Sequence, residues 1–591
     1  MSKLTEGLPN HLRRVYSTLW EAFGERPFRY RDAADLLVGR NGYDWAEVPK
    51  YLSELRKVGA LSVGRDPKGE EEETYTLTGG GRAIAGASTV EEGVLTRADL
   101  ERILKRAADL IRTRVDYKFI LILLFLKRIS DKWEAEYEAE KRKAEEDGLS
   151  EREAEEEAKR APYHEFDLPE EYLWDNIRKE VSRLPEKMSK ALKVVAERNP
   201  ELKDVVDSVD FVQFTSNREN AELLAQLVEL FSERKLDRVS PDILGDAYEW
   251  ILRQFAPDKA KEGEIYTPRE VIRLLVELLD PRPGDSVYDP ACGSAGMLIA
   301  AHNHVKEKYG PERARELSLF GQEANPSILA LAKMNMYIHD IGDSNLELGD
   351  TLLRPKFREG DSIRKFEVIM ANPPWNQDGY GEDVLKKGEF WRERFRYGFV
   401  PGQSADWAWI QHMVASAADN DGRVGVVIDN GCLFRGGKEG AIRRQIVERD
   451  LLECVILLPE KLFYNTGAPG AIMIFRTNKP EVRRGKVLFI NASKEFAKHP
   501  DIRKLNVLAD NNIMKIVDAY RAFADRRGFA RVASLDEIRG NNWNLNVSLY
   551  VSPEEENKEI DVVKEFEELK ELEKQRQELL TKVENYISEV K

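Results

Sequence analysis

The sequence predicts an α/β protein whose largest part is a doubly wound, Rossmann-like domain, and three features of its second half support this. After Pro241, short apolar runs typical of buried strands alternate with helical segments. The predicted strands are residues 286–289, 317–323, 366–371, 422–429, 452–459, 471–476 and 487–493. A turn with two glycines joins one of these strands to a helix, and acidic residues follow several strands. A mostly parallel sheet covered on both faces accounts for this order. Its carboxyl edge is where a ligand is expected.

A chain of 591 residues is too long for a single hydrophobic core, so several folding units are expected. Changes in periodicity and charge divide it into four predicted parts. These are a winged-helix-like module (residues 1–92), a helical domain (93–235), the Rossmann-like domain (236–550) and a C-terminal coiled-coil-like helix for subunit association (551–591).

The N-terminal part shows three predicted helices, near residues 8–23, 30–37 and 44–58, followed by two alternating strands around a glycine-containing turn. This order resembles a winged helix, which can read DNA through its third helix and its wing. A protein-docking role is equally well supported, because the acidic run Glu70–Glu73 lies beside the wing. Both interpretations stay open.

Helical periodicity continues from Asp99 to about Phe231. Within it the apolar run Phe119–Leu126 predicts a buried helix, and the charged run that follows predicts a solvated one. The tail from Pro553 carries apolar residues at heptad spacing, which predicts a helix that pairs with another helix. Packing of the tail on its own domain is the alternative, since a narrow apolar strip also suits an ordinary surface helix.

Composition limits the classes of function and the partners. A net charge of −15 argues against unaided wrapping of DNA, so a basic partner or a local basic patch is required. Three cysteines without CxxC spacing or a histidine cluster predict neither a disulfide framework nor a metal site. The longest apolar run falls short of the ~20 residues of a membrane helix, and no signal-peptide pattern begins the chain, which predicts a cytoplasmic protein without membrane contact.

Acidic residues close three successive predicted strands. Asp289 precedes the turn that holds Gly293 and Gly296, Glu323 ends the next strand and Asp350 follows another. These carboxylates match the ammonium, the ribose diol and the exocyclic amine of S-adenosyl-L-methionine, while the glycines let the backbone approach the ligand closely. Singly, each acidic residue is more readily a helix cap or turn former. Together and in this order, they predict S-adenosyl-L-methionine as the cofactor.

The tetrapeptide Asn372-Pro373-Pro374-Trp375 is the most specific signal in the chain. Consecutive prolines end the strand before it, so Asn372 is expected to be exposed at the carboxyl edge of the sheet. The Asn372 side-chain oxygen and the Pro373 carbonyl can each accept one N–H of an exocyclic amine, directing its lone pair toward a sulfonium methyl. Trp375 would stack on the base, and an adenine in duplex DNA would have to be flipped out. The alternative is a strand terminator with a core tryptophan.

These motifs resemble those of the N6-adenine DNA methyltransferase subunits of type I restriction-modification systems. The resemblance covers roughly residues 97–550 and rests on GEIYTPR, DPACGSAG, GQEANPSILALAKMN, GDTL, NPPW and LFYNTGAPGAIMIF. It implies that Asn465 lies beside the target-base pocket and that Tyr266, Thr267 and Pro268 line the methionine pocket. The full set of cofactor-binding residues is then Gly263, Glu264, Ile265, Tyr266, Thr267, Pro268, Asp289, Pro290, Gly293, Ser294, Ala295, Gly296, Glu323, Asp350 and Asn372.

The resemblance also implies partners. Subunits of this family act on double-stranded DNA, two modification subunits join one specificity subunit, and a restriction subunit completes the complex. Two features depart from the family: Trp375 stands where Phe or Tyr is commoner, and a winged-helix-like region precedes the usual start. The alternatives are a self-sufficient adenine methyltransferase with its own DNA-reading module, a subunit of another anti-phage defence complex, an enzyme acting on RNA bases or glutamine amides, and a catalytically silent scaffold.

Overall fold

The computed structural model describes residues 10–23, 26, 28–41, 48, 51–52, 55, 61–65, 73–77, 97–111, 117–199, 202, 206, 209–237, 239, 243–245, 247–248, 250–251, 267–463, 466–499, 502–552, 569–570, 572–576 and 579. Within them the chain divides into two compact units. One consists of residues 1–99 with 232–239, and the other of residues 100–231 with 240–591.

Between residues 97 and 279 the described regular elements are all helices, and from residue 286 onward helices and strands are interspersed. The helices are α1 (Asn10–Phe23), α2 (Tyr30–Asn41), α3 (Arg97–Ile111), α4 (Lys118–Glu146), α5 (Glu151–Ala158), α6 (Trp174–Arg178), α7 (Leu184–Arg198), α8 (Phe211–Phe214), α9 (Arg218–Ser232), α10 (Arg269–Leu279), α11 (Gly296–Tyr309), α12 (Pro311–Ala314), α13 (Pro326–Ile338), α14 (Glu382–Leu385), α15 (Trp391–Arg394), α16 (Asp406–Ala415), α17 (Gly437–Glu448), α18 (Asp510–Ala522) and α19 (Leu535–Gly540). The strands are β1 (Phe28–Arg29), β2 (Leu61–Arg65), β3 (Glu73–Leu77), β4 (Ser286–Asp289), β5 (Ser318–Glu323), β6 (Ser344–Leu348), β7 (Arg358–Glu359), β8 (Ser362–Ile363), β9 (Val368–Ala371), β10 (Arg423–Asp429), β11 (Leu452–Leu457), β12 (Gly470–Arg476), β13 (Lys486–Asn491), β14 (Ala497–Lys498), β15 (Asn506–Val507) and β16 (Ala530–Ser534).

The smaller unit holds a three-stranded antiparallel sheet in the order β1-β3-β2. Its apolar core joins α1, α2 and this sheet through Val15, Leu19, Phe28, Leu37 and Leu77. The third helix predicted near residues 44–58 is described only at residues 48, 51, 52 and 55, which are helical. The helices and the β2–β3 hairpin therefore follow in the predicted order as far as the structure describes them.

The larger unit begins with a helical region. In α4 the residues Ile120–Leu126 are buried, whereas most of the charged residues in its second half are exposed or half-buried, as the sequence predicts. This region packs on the α/β part of the same unit, where the rings of Phe166 and Tyr337 lie 6.2 Å apart. The helical region is thus a support for α13.

A nine-stranded sheet in the order β16-β13-β11-β12-β10-β9-β4-β5-β6 forms the centre of the larger unit. The strands from β10 to β6 are parallel, β12 runs antiparallel to both of its neighbours, and β16 runs antiparallel to β13. The parallel strands around β4 have the order expected of a Rossmann-like domain. The sheet is mixed and not purely parallel, because β12 and β16 run in the opposite direction to their neighbours.

Residues of each central strand alternate between two apolar layers, because successive side chains of a strand point to opposite faces. In β9, Val368 and Met370 join the layer formed with α10, α11 and α18, while Ile369 and Ala371 join the layer formed with α16 and α17. The sheet is therefore covered on both faces, which fixes the directions in which its strand ends can present side chains.

The C-terminal tail is described only at residues 569–570, 572–576 and 579, where it is helical. Leu569, Leu572 and Leu579 are exposed. These three leucines belong to the predicted heptad pattern. Its other members, Val562, Val583, Tyr586 and Val590, lie outside the described residues. Across the described part of the chain, every helix is too short or too polar to cross a membrane.

Candidate functional site

The site lies where the strand order of the sheet reverses. From β4 the chain continues to β5 and β6 on one side, and then returns to β9 and β10 on the other. Neighbouring parallel strands β4 and β9 pair through Val287 with Val368 and through Tyr288 with Ile369. Ligands of doubly wound sheets bind at such a reversal, beyond the carboxyl ends of the strands. Asp289 and Asn372 follow from these two strands at the same edge.

The turn between β4 and α11 lies at this edge and contains two residues with a positive φ. Gly293 has a φ of +51°, and a Cβ added there would meet no atom within 4 Å, so this position borders open space. Ala295 also adopts the left-handed conformation, with a φ of +64°. A Cβ on Gly296 would lie 3.3 Å from the Ile272 side chain, so this glycine also lets α11 start close to α10.

Asp289 is buried at the wall of the site, where its Oδ1 accepts the Ala291 N–H over 3.0 Å. Burial raises the pKa of Asp289 to about 8, and the nearby charge of Glu323 adds to this rise. A carboxyl group held in this way gains most from a cationic partner, because a positive charge restores the ionised form.

The other two acidic strand ends are already engaged with the protein. The Glu323 Oε2 accepts the Gly293 N–H over 3.1 Å, and its Oε1 accepts the Asn325 N–H over 2.8 Å. The Asp350 Oδ2 accepts a hydrogen bond of 2.8 Å from the Tyr380 hydroxyl. Each carboxylate oxygen can accept a second hydrogen bond, so both groups keep acceptor capacity for a ligand.

Two side chains fix the orientation of the Asn372 amide. Its Nδ2 donates to the Thr267 Oγ1 over 2.8 Å, and its Oδ1 accepts the Trp375 indole N–H over 2.9 Å. An indole nitrogen only donates, so the oxygen of the amide must face Trp375. One acceptor site of the Asn372 oxygen remains for a ligand.

Asn372 is 8% exposed and lines the cavity, so it is less open than the sequence predicts. The contacts with Thr267 and Trp375 account for the difference, because they cover both ends of the amide. The tetrapeptide therefore places the Asn372 side-chain oxygen, a hydrogen-bond acceptor with a fixed orientation, at the wall of a cavity. The side chain is not freely exposed.

Trp375 is itself held by its neighbours. Its indole N–H also reaches the Val427 carbonyl at 3.3 Å, and its ring meets Phe463 edge to face at 4.7 Å. A Cβ on Gly470 would lie 2.9 Å from the Trp375 ring and 2.8 Å from the Phe463 ring. Only glycine at the start of β12 leaves room for this aromatic pair.

One cavity of about 560 Å³ brings six of the predicted residues together, and most of its other lining residues belong to α10 and α11. The six predicted residues are Thr267, Asp289, Gly293, Ser294, Gly296 and Asn372. The predicted residues Pro268, Pro290, Ala295, Glu323, Asp350, Pro373, Pro374 and Trp375 do not line it. Gly263, Glu264, Ile265, Tyr266 and Asn465 lie outside the described residues.

Several residues that shape the site were not predicted from the sequence. They are Tyr380 on Asp350, Phe463 against Trp375, and Asp406, whose Oδ1 accepts the N–H of Asn376. Phe463 lies within the quoted run LFYNTGAPGAIMIF, but no local pattern marked Asp406 or Tyr380. In the described residues, His, Cys, Asp and Glu side chains form no group of three or more suited to a metal ion.

Two protein-family models match the chain. Residues 239–559 match the family described as N-6 DNA Methylase, and residues 100–231 match the HsdM N-terminal domain. The first of these ranges contains the glycine turn, the acidic strand ends and the tetrapeptide.

Individual relatives agree with the family models. The type I restriction enzyme MjaVII methylase subunit of Methanocaldococcus jannaschii is 43% identical over 98% of this chain and 97% of its own length. The MjaVIII methylase subunit of the same organism is 40% identical over 100% and 99%. The crystal structure of a type I restriction-modification methyltransferase subunit from Streptococcus thermophilus superposes with a TM-score of 0.67 at 26% identity, covering 78% of this chain and all of that one. The chain belongs to the N-6 DNA methylase family, as a methylase subunit of the type I restriction-modification kind, and is an adenine-specific DNA methyltransferase.

Proposed function

We propose that the cavity between the glycine turn and Asn372 binds S-adenosyl-L-methionine, which supplies an electrophilic methyl group. The observation that carries this proposal is that Asp289, Gly293 and Asn372 line one cavity at the reversal of the strand order. Its volume of about 560 Å³ is within the usual range for ligand sites. The buried Asp289 carboxyl suits a ligand ammonium, and Gly293 leaves the backbone free to approach the ligand.

The two other acidic strand ends do not line this cavity, and we propose that they extend the cofactor site beyond it. Glu323 would accept hydrogen bonds from the ribose hydroxyls, and Asp350 from the adenine amino group. Supporting this, Glu323 is hydrogen-bonded to the N–H of Gly293, and Asp350 is held by Tyr380 beside the segment that follows the tetrapeptide. Thr267, from the motif GEIYTPR, lines the cavity and accepts a hydrogen bond from the Asn372 side chain.

For methyl transfer, the target adenine would be flipped out of the duplex so that its amino group reaches Asn372. The Asn372 oxygen and the Pro373 carbonyl would each accept one N–H of that amine, which localises the nitrogen lone pair for in-line transfer. Trp375, held edge-on by Phe463, would stack on the base. The contact between the Trp375 indole and the Asn372 oxygen supports this assignment, since it orients the acceptor and the stacking surface together.

Binding of the cofactor should strengthen as pH rises toward 8. The pKa of Asp289 in the free protein is about 8, so near pH 6 this carboxyl is protonated and cannot pair with an ammonium. We expect the dissociation constant to fall about tenfold per pH unit between pH 6 and 7, with release of about one proton. Calorimetry with S-adenosylhomocysteine in buffers of different ionisation enthalpy measures both quantities. A pH-independent affinity, or binding without proton release, would contradict this role for Asp289.

The assembly proposed for this chain is that of a modification subunit: two copies with one specificity subunit, joined by a restriction subunit in the full complex. The full-length match to type I methylase subunits supports this, and so does the net charge of −15, which disfavours DNA binding by the chain alone. The exposed leucines of the tail, at residues 569, 572 and 579, provide an apolar strip for another helix.

We propose a separate role for each of the four parts predicted from the sequence. Residues 93–235 would support the catalytic domain at 236–550, and the helix predicted at 551–591 would associate with other subunits. The module at 1–92 would act as a winged helix that contacts DNA or a partner subunit, with its helices and hairpin in the matching order. The second candidate is a self-sufficient enzyme that reads DNA through this module, or a subunit of a different anti-phage complex. The module is the only feature that favours it, and the relatives that match this chain over 98% and 100% of its length cover the module as well.

Dependence on the specificity subunit separates these candidates. We expect the purified chain to bind S-adenosylmethionine by itself, but to methylate adenines at a defined site only after its specificity subunit is added. Labelled methyl transfer to DNA with and without that subunit, with a gel shift of the chain alone, measures this. Efficient site-specific methylation by the chain alone would favour the self-sufficient enzyme.

A further inference from the structure

The chain reverses direction directly after the tetrapeptide, and one buried carboxylate holds this reversal. Asn376 has a φ of +52°, a left-handed conformation that is unfavourable for most residues. Its backbone N–H donates to the Oδ1 of Asp406 over 2.8 Å. Asp406 begins α16 and its side chain is fully buried. A buried carboxylate therefore fixes the first residue after Trp375.

Further hydrogen bonds attach the same segment to the start of α16. The Ala405 N–H donates to the Gln377 carbonyl over 2.8 Å, and the Trp409 indole donates to the Gln377 side chain over 3.2 Å. The Gly379 N–H donates to the Gly402 carbonyl over 2.8 Å. In this set Asp406 makes the contact nearest to the tetrapeptide.

Arg435 holds Asp406 from the other side. Its guanidinium contacts the Asp406 Oδ2, the Asp429 Oδ2 at 2.8 Å and the Glu439 Oε2 at 2.6 Å. Asp429 ends β10, the strand beside β9, so the arginine connects the end of β10 to α16 and α17. Such a charge-assisted network restricts the Asp406 side chain to one position.

We propose that Asp406 is a positioning residue for methyl transfer. By holding Asn376 in the left-handed turn, Asp406 keeps the Trp375 indole on the Asn372 oxygen and so directs the remaining acceptor site of that oxygen into the cavity. Asp406 acts through the backbone of the tetrapeptide and touches neither cofactor nor base. This inference rests on the proposed role of Asn372 as an acceptor for the target amine.

A matched pair of variants isolates this role. Asp406→Ala and Asp429→Ala each remove one carboxylate from Arg435, but only Asp406 contacts the tetrapeptide segment. In the complex with the specificity subunit, we expect Asp406→Ala to lower kcat by about tenfold to a hundredfold, since small misplacement of reacting groups has effects of this size. The KM for DNA and the affinity for the cofactor should change less than about threefold, and Asp429→Ala should keep kcat within about threefold. Asp406→Asn keeps one acceptor oxygen for the Asn376 N–H but directs an NH2 group at Arg435, so its kcat should lie between those of the wild type and of Asp406→Ala.

A second pair of variants changes the same turn at Asn376, outside the buried Arg435 network, so that network stays intact. Asn376 is exposed. Asn376→Gly favours a positive φ and should keep kcat close to that of the wild type, whereas Asn376→Val disfavours it and should lower kcat as Asp406→Ala does. This pair decides the question if Asp406→Ala does not fold.

Equal losses of kcat in Asp406→Ala and Asp429→Ala, or equal activities of Asn376→Gly and Asn376→Val, would overturn the inference while leaving the proposed function intact. A wild-type complex that binds the cofactor but transfers no methyl group to adenine would overturn the proposed function, and this inference with it.

Discussion

Replacing Asn372 by alanine is expected to lower the rate of adenine methylation by about a thousandfold, with cofactor binding nearly unchanged. Loss of one preorganised hydrogen-bonding group in a catalytic site has effects of this order. In the proposed mechanism the Asn372 side chain contacts the target base. The buried Asp289 carboxyl and the glycine turn, which would hold the cofactor, are unchanged in this variant. Single-turnover methylation in the complex, together with calorimetry of cofactor binding, measures the two effects separately.

Two further variants sharpen this test. Asn430→Ala removes an asparagine that follows the neighbouring strand β10 without lining the cavity, and should keep its activity. Asn372→Asp keeps an acceptor oxygen but can no longer donate to Thr267, so its rate should fall between those of the wild type and of Asn372→Ala. An Asn372→Ala enzyme with most of its activity would refute the role given to this side chain.

The second large effect is expected at Asp289, and it has the opposite kinetic pattern. Asp289→Ala should weaken cofactor binding about a hundredfold, because truncating one partner of a buried charge pair typically costs about 2–5 kcal/mol. The methylation rate at saturating cofactor should fall by less than about tenfold, because the Asp289 carboxyl does not contact the target base in the proposed mechanism. Cofactor titrations of binding and of the methylation rate give the two numbers.

Asp289→Asn serves as the control for shape, because it retains the size of the side chain without a charge. It should lose the affinity for the cofactor and also the pH dependence described above. Without cofactor it should melt no lower than the wild type, because it removes a carboxyl group whose ionised form is disfavoured by burial. Wild-type affinity in Asp289→Asn would show that the ammonium lies elsewhere.

The sequence predicted the central strands of the sheet well because these strands are buried on both faces. β4, β9, β10, β11 and β13 are continuous apolar runs, and each was predicted within two residues of its observed bounds. The strand β16 was missed, and β6 was predicted only as the strand before Asp350, without residue bounds. Both are edge strands with several exposed or half-buried residues, so neither a continuous apolar run nor a clear alternation marks them.

Strand direction was harder to predict than strand position. The apolar run of β12 looks like that of a parallel strand, yet it runs antiparallel to both β10 and β11. Burial on both faces produces the same composition in either direction, so the sequence carried no signal for the reversal. The direction depends on how the chain crosses between β11 and β12.

Residues at strand ends could be predicted, whereas contacts between distant loops could not. Asp289 and Asn372 were placed at one edge because each follows a recognisable strand. The hydrogen bond from Asn372 to Thr267 joins residues 105 positions apart, and that from Asn376 to Asp406 joins residues 30 apart. Such pairings depend on the tertiary positions of both segments, and a local pattern does not report them.

The most direct test of the account is an experimental structure of this chain with a non-reactive S-adenosylmethionine analogue. We predict that the analogue's ammonium lies within hydrogen-bonding distance of the Asp289 carboxyl and that the group in place of the reactive methyl faces the Asn372 oxygen. An analogue bound outside the cavity, or bound with that group directed away from Asn372, would contradict the account.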